Sequence, residues 1–215
     1  LTMRTFHIGG AAQKGTEISN IESKFNGKVR YTNIKISTDS NGNLINMSRN
    51  ATLCILDDNE KEKAKHRLPF GSKLKLKDDS KVKIGDILAE WDPFTLPIIA
   101  QIDGYVVFKD LEEGVTTREI IDESTGLSSN IVMDWKQQAK NQNLVPRLEL
   151  HDKKNKGDIL VLENGSSASY ELTADSIIGV NNEIKVKEGD VIARVPKESS
   201  KTKDITGGLP RVAEL

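Results

Sequence analysis

The chain has 215 residues, of which 31 are Lys or Arg and 32 are Asp or Glu, giving a formal net charge of -1 with 5% aromatic residues. That balance excludes a histone-like basic protein and any uniform field drawing the whole chain onto nucleic acid. A single cysteine excludes an intramolecular disulfide framework and a multi-cysteine zinc site, and no run approaches the ~18 apolar residues of a membrane helix.

In chain order, residues 1–17 open as Leu1-Thr2-Met3-Arg4-Thr5-Phe6-His7-Ile8-Gly9-Gly10 and show neither alternation nor a core-like pattern. Met3 and Arg4 precede His7 by four and three positions, so a short helix here carries all three side chains on one face. The pair Gly9-Gly10 lowers the barrier to backbone rearrangement and weakens helix, as a hinge requires. The start at Leu1 without Met, with no apolar leader, and the stop inside the helix-compatible run Arg211–Leu215 lead us to expect a cytoplasmic piece of a longer protein.

Residues 18–93 read as a first β domain. Lys28–Ile36 alternates, and Asn41-Gly42-Asn43, Asp57-Asp58-Asn59 and Asp78-Asp79-Ser80 supply turns. Cys54, between Leu53 and Ile55, is expected to be a small buried hydrophobe. The alternating lysines of Lys73-Leu74-Lys75-Leu76-Lys77 are expected on the solvated face of a strand, and His66 on a surface strand.

Residues 94–198 read as a second β domain, with a strand at Tyr105–Phe108 and turns at Glu112-Glu113-Gly114 and Asn164-Gly165-Ser166. Trp135–Lys140 is either a short helix or an ordered loop. His151 is expected on a surface strand rather than as a ligand, and no metal-ligand spacing occurs. The two domains are repeats. Shifted by 104 positions, Leu68–Asp92 aligns without a gap to Leu172–Pro196, with identities at Leu68/Leu172, Ser72/Ser176, Lys81/Lys185, Val82/Val186, Lys83/Lys187, Gly85/Gly189, Asp86/Asp190 and Ala89/Ala193. Upstream, a shift of 77 aligns Ile21–Asn33 with Ile98–Asp110, so the second copy carries insertions, expected around Trp135–Leu144 and Gly157–Ser169. Gly85 and Gly189 suit a tight turn after which three residues re-enter the core.

Residues 199–215 form the second arm, where Gly207-Gly208 mirrors Gly9-Gly10 and Pro210 suits the first turn of a helix. The composition thus separates two β domains from two short arms.

The repeat ending Val-Lys-x-Gly-Asp-apolar-apolar-Ala resembles the barrel–sandwich hybrid motif of carrier domains and large polymerase subunits. A carrier function is disfavoured because neither repeat has a Met-Lys-Met tip. The arms Leu1–Gly10 and Asp204–Val212 resemble the two halves of the trigger loop of the bacterial RNA polymerase β′ family, and the middle is similar to the insertion that splits that loop in proteobacteria. The resemblance implies a mainly β fold, two tandem barrel–sandwich hybrid domains inserted between two short helical trigger-loop arms. It implies catalytic roles for His7 and Arg4, nucleotide contact for Met3, Arg4 and His7, and hinges at Gly9, Gly10, Gly207 and Gly208. The implied partners are the rest of β′, the β, α and ω subunits, sigma factor, DNA template, RNA transcript and NTP, with no membrane and a nucleoid-associated cytoplasmic location. Mg2+ would belong to the complete enzyme, on an Asn-Ala-Asp-Phe-Asp-Gly-Asp motif that this chain lacks, so the fragment is expected to bind no cofactor and to be inactive alone. The alternative is a β-domain docking module for a transcription regulator or nucleic acid, without a catalytic role.

Overall fold

The computed structural model describes residues 18–197. The expected helical arms lie outside the described residues. Within them the fold is mainly β, as expected, and divides into two compact units that part between Pro93 and Phe94, with the short turn Glu188–Asp190 grouped with the first.

The first unit contains nine strands: β1 (Ser19–Glu22), β2 (Gly27–Thr32), β3 (Ile36–Thr38), β4 (Leu44–Asn46), β5 (Thr52–Leu56), β6 (Glu62–Arg67), β7 (Lys73–Leu74), β8 (Lys81–Val82) and β9 (Ile87–Trp91). They form a five-stranded sheet ordered β1-β9-β7-β4-β3 and a four-stranded sheet ordered β6-β5-β2-β8. Alternation in β2 and β5 sends Val29, Tyr31, Leu53 and Ile55 into a core that Leu68, Leu74, Val82, Leu88 and Ala89 complete. The Tyr31 hydroxyl donates to the Leu76 carbonyl at 2.7 Å, and burial, reinforced by the Asp78 charge, pushes its pKa up to about 12. Lys73, Lys75 and Lys77 are exposed around buried Leu74, the solvated face expected of them.

The second unit repeats this plan with β10 (Thr95–Ile99), β11 (Gly104–Lys109), β12 (Thr117–Ile121), β13 (Ser128–Val132), β14 (Arg147–His151), β15 (Ser169–Glu171), β16 (Ile177–Ile178), β17 (Lys185–Val186) and β18 (Val191–Pro196). Its sheets are ordered β10-β18-β16-β13-β12 and β15-β14-β11-β17, so every strand stands where the strand nine earlier stands in the first unit. Val106, Val132, Leu148, Leu150 and Ile192 are fully buried at the centre of its own core.

The duplication extends to single hydrogen bonds. The Val29 amide donates to the Ser80 carbonyl, and the Val106 amide to that of Ile184, each at 2.9 Å. The amides of Tyr31 and Phe108 donate to the side-chain oxygens of Asp78 and Asn182, each at 3.0 Å. Gly85 and Gly189 have φ of 95° and 97°, a conformation that costs an L side chain about 1–2 kcal/mol, which explains their identity. Only two of the next three residues enter the core: Leu88, Ala89, Ile192 and Ala193 are buried, whereas Ile87 is exposed. A β-bulge causes this. The pairing register slips between Ile21 and Glu22 opposite β9, and between Ile98 and Ile99 opposite β18, letting two consecutive residues face inward.

The second unit carries extra chain at four places. Trp135–Gln137 and Ala139–Asn141 form 3-10 turns, anchored by the Trp135 indole donating to the Leu144 carbonyl at 2.9 Å. Residues 152–168 make an excursion between β14 and β15. The first falls in the region expected around Trp135–Leu144, and the second overlaps the region expected around Gly157–Ser169. The other two, a longer β11–β12 connection and a longer β12–β13 hairpin, were not anticipated. Cys54 also departs from expectation: it is half-buried, on the β5 face opposite to Leu53 and Ile55, with Arg30 and Lys65 as its cross-strand partners. An apolar run in a two-faced sheet still alternates, so its middle residue points out of the core.

Candidate functional site

The incoming and outgoing strands are each fastened to one short connection. Ser19 of β1 pairs with Trp91, and Pro196 of β18 pairs with Thr95, while the Lys197 amide donates to the Phe94 carbonyl at 3.0 Å. Only Asp92, Pro93 and Phe94 separate Trp91 from Thr95, and a chain spans at most ~3.6 Å per residue. Whatever the disposition of the two units, the two ends of the described segment therefore stay on a short tether. Met3, Arg4, His7, Gly9, Gly10, Gly207 and Gly208 lie outside the described residues.

Within the second unit, alternation along β14 turns Leu148 and Leu150 inward and Arg147, Glu149 and His151 outward. The three outward groups form a connected row. Arg147 Nε donates to Glu149 Oε2 at 2.8 Å, while Arg147 Nη1 donates to the Val145 carbonyl at 3.1 Å and approaches Asp110 Oδ2 at 3.5 Å. His151 Nε2 lies 3.0 Å from Glu149 Oε1, and its Nδ1 lies 2.8 Å from the Gly157 carbonyl oxygen. Glu149 is only 8% exposed. Desolvation pushes its carboxyl up, but hydrogen bonds from His151 and Arg147 and the charges of Arg147 and Lys109 outweigh it and hold the carboxyl below the ordinary glutamate range. Both carboxylate oxygens are engaged, so the group holds its neighbours in place and is not presented to a substrate. The sequence reading placed His151 on a strand but missed this row; the charged-apolar alternation of Arg-Leu-Glu-Leu-His was its signal.

In the first unit, an open groove of about 600 Å³ lies against β2, β8 and the β5–β6 turn. Lys28, Lys81 and Lys83 line it together with Asp57, Asp58 and Glu60. Arg30 is drawn toward Glu60 and Asp79, at 3.8 Å and 3.6 Å. His66 is half-buried on β6. Among the described residues, no group of three or more His, Cys, Asp or Glu side chains is arranged to hold a metal ion, and no helix is long and apolar enough to cross a membrane.

Comparison with known proteins gives concordant results. Residues 1–208 match the family described as RNA polymerase Rpb1, domain 5. Over all 215 residues the chain is 47% identical to the DNA-directed RNA polymerase subunit β′ of Rickettsia typhi, and 47% identical to that of Rickettsia prowazekii. The Rickettsia felis subunit is 46% identical over the same span. In each case the match covers 100% of this chain but 16% of the relative's length.

Proposed function

The chain belongs to the RNA polymerase Rpb1 domain 5 family, and from that premise we propose that it is the trigger-loop segment of a β′ subunit, split by a duplicated β insertion. In this reading the arms close over an incoming NTP during DNA-templated RNA synthesis. Attack of the RNA 3′ hydroxyl on the α-phosphate expels pyrophosphate, a charged departure that needs cationic or hydrogen-bond stabilisation. His7 supplies it beside the β-phosphate, as proton donor or charge stabiliser. The planar fork of Arg4 binds phosphate oxygens, and Met3 offers a soft apolar surface to the base. Gly9-Gly10 and Gly207-Gly208 are the hinges.

In this reading the magnesium ions of such chemistry are held by residues of the complete enzyme outside this chain. The fragment alone is inactive in this reading. Its partners are the rest of β′, the β, α and ω subunits, sigma factor, template and transcript.

The observation that carries the reading is the tether. An insertion tolerated inside a moving loop must return the chain near its point of departure, and the pairings of Ser19 with Trp91 and Pro196 with Thr95 do this through one short connection. A domain pair carried on the loop shifts its open-closed equilibrium, so pausing and transcript cleavage are the regulatory outputs. Two changes in the complete enzyme test this. His7→Ala is expected to slow nucleotide addition by ~10²-fold or more while leaving subunit assembly intact. Replacing residues 18–197 with a short linker is expected to preserve addition and alter pausing; unchanged addition in the first variant would remove His7 from the mechanism. The lysine-lined groove favours a second reading, a docking module for a regulator or nucleic acid, in which His7→Ala leaves addition unaffected and changes at Lys28, Lys81 and Lys83 weaken partner binding.

A further inference from the structure

The contacts of His151 fix more than its position. One ring nitrogen faces the Gly157 carbonyl at 2.8 Å and the other faces Glu149 Oε1 at 3.0 Å. A carbonyl oxygen only accepts, an ionised carboxylate only accepts, and a neutral imidazole owns one N–H. Both bonds therefore exist together only when both ring nitrogens carry protons. We propose that the His151 imidazolium is a protonation-dependent latch that pins the basic loop Asp152–Asp158 to the second β unit and lets it go when the ring becomes neutral.

The loop is built to respond as a unit. The Asp152 amide donates to the Asp158 carbonyl at 3.0 Å, and the Asp158 amide donates to Asp152 Oδ1 at 2.8 Å, so its base is pinched. Asn155 and Lys156 sit in the left-handed region at φ of 58° and 55°. At Gly157 a Cβ would fall 2.6 Å from Asp152 Oδ1 and 2.6 Å from the Lys153 carbonyl oxygen, so glycine is required. Between these points the loop displays Lys153, Lys154 and Lys156, all exposed.

The charged and titratable groups around the latch are Glu149 and Arg147 on its own strand, and Tyr105, Lys109 and Asp110 from the β11 side. Glu171 of β15 stands opposite Arg147, Lys185 of β17 opposite Tyr105, and Asp152, Asp158 and the three lysines belong to the loop itself. Of the two bonds, the one to the ionised carboxylate is the stronger. On losing a proton the ring keeps Nε2–H toward Glu149 and gives up Gly157, so the loop is what is released.

Imidazole nitrogen resonances and amide exchange, corrected for intrinsic rates, test this on the 215-residue chain between about pH 5.5 and about pH 8.5, the span over which histidine ordinarily titrates. The expected result is a doubly protonated His151 ring at the low end. As the ring becomes neutral, protection of the Asp152 and Asp158 amides, whose bonds close the loop, should fall by ~10-fold or more relative to those of Val106 and Leu150. In Glu149→Gln the carboxamide donates to Nε2 and still accepts from Arg147, so a neutral ring satisfies both neighbours and loop protection should no longer depend on pH. Protection at Val106 and Leu150 reports that the variant is folded; if it is not, the wild-type titration decides alone. A ring that is neutral throughout, or one whose titration leaves the loop amides unchanged, overturns the proposal. So does a folded Glu149→Gln whose loop is released over the same pH range as the wild type.

Discussion

Glu149 shows how a single side chain can organise a surface without being a catalyst. It is nearly buried, and each of its oxygens meets a different donor, Arg147 on one side and His151 on the other. Replacing it with Ala leaves a guanidinium and an imidazole that have lost their shared carboxylate, a loss of about 2–3 kcal/mol that urea unfolding of the second unit should register. The acid dependence has a definite sign. Because the folded state holds the Glu149 carboxyl below its ordinary value, its contribution is complete above the unfolded value of about 4.3 and is lost as pH falls through the lower folded value. Unfolding midpoints of the second unit are therefore expected to drop below about pH 4, and Glu149→Gln to flatten that drop. Much of this row was open to a reader of the sequence, since charged and apolar residues alternate through Arg-Leu-Glu-Leu-His. What alternation cannot supply is the chain beyond the strand: Gly157 reaches His151, six residues earlier, only because the chain turns back after β14, and a turn leaves no periodic trace. Cys54 marks the opposite error, in which apolar neighbours suggest burial and strand geometry overrides them.

At the scale of elements, the glycine turn and the bulge recur as a matched pair. Gly85 at φ 95° closes the turn before β9, and the slipped register opposite Ile21 and Glu22 then admits both Leu88 and Ala89 to the core. The nearest atom to a Cβ at Gly85 is Glu22 Oε1 at 3.9 Å, so Gly85→Ala meets no steric barrier and isolates the backbone cost. It is expected to destabilise the first unit by about 1–2 kcal/mol, read as a shift in denaturant midpoint at unchanged slope. The glycine was legible as a repeated identity, and its turn followed from the residue type. The bulge was not, because a register slip depends on which partner strand is present, and so three residues rather than two were expected to turn inward. The extension in the β12–β13 hairpin escaped notice for a related reason. An offset known only at its two ends, 77 and 104, says that residues were added without saying how many places received them.

For the molecule as a whole, each unit owns a separate core, with Leu53 fully buried in one and Leu148 in the other. Truncating either to Ala is expected to cost its own unit about 2–5 kcal/mol and to spare the other, giving two transitions in denaturant, only one of which moves in each variant. The mainly β class and the repeat were both available from the sequence, because alternation and self-similarity are local signals. The roles proposed for Met3, Arg4 and His7 rest on resemblance alone, since three side chains at that spacing in the sequence specify no reaction. The matched strand order has a consequence for how the chain finds its fold. Two tandem segments with the same order and the same register slip offer each strand two plausible berths: β1 has the geometry to pair with β18 as well as with β9, and β10 with β9. Such exchange is the characteristic folding error of adjacent similar domains.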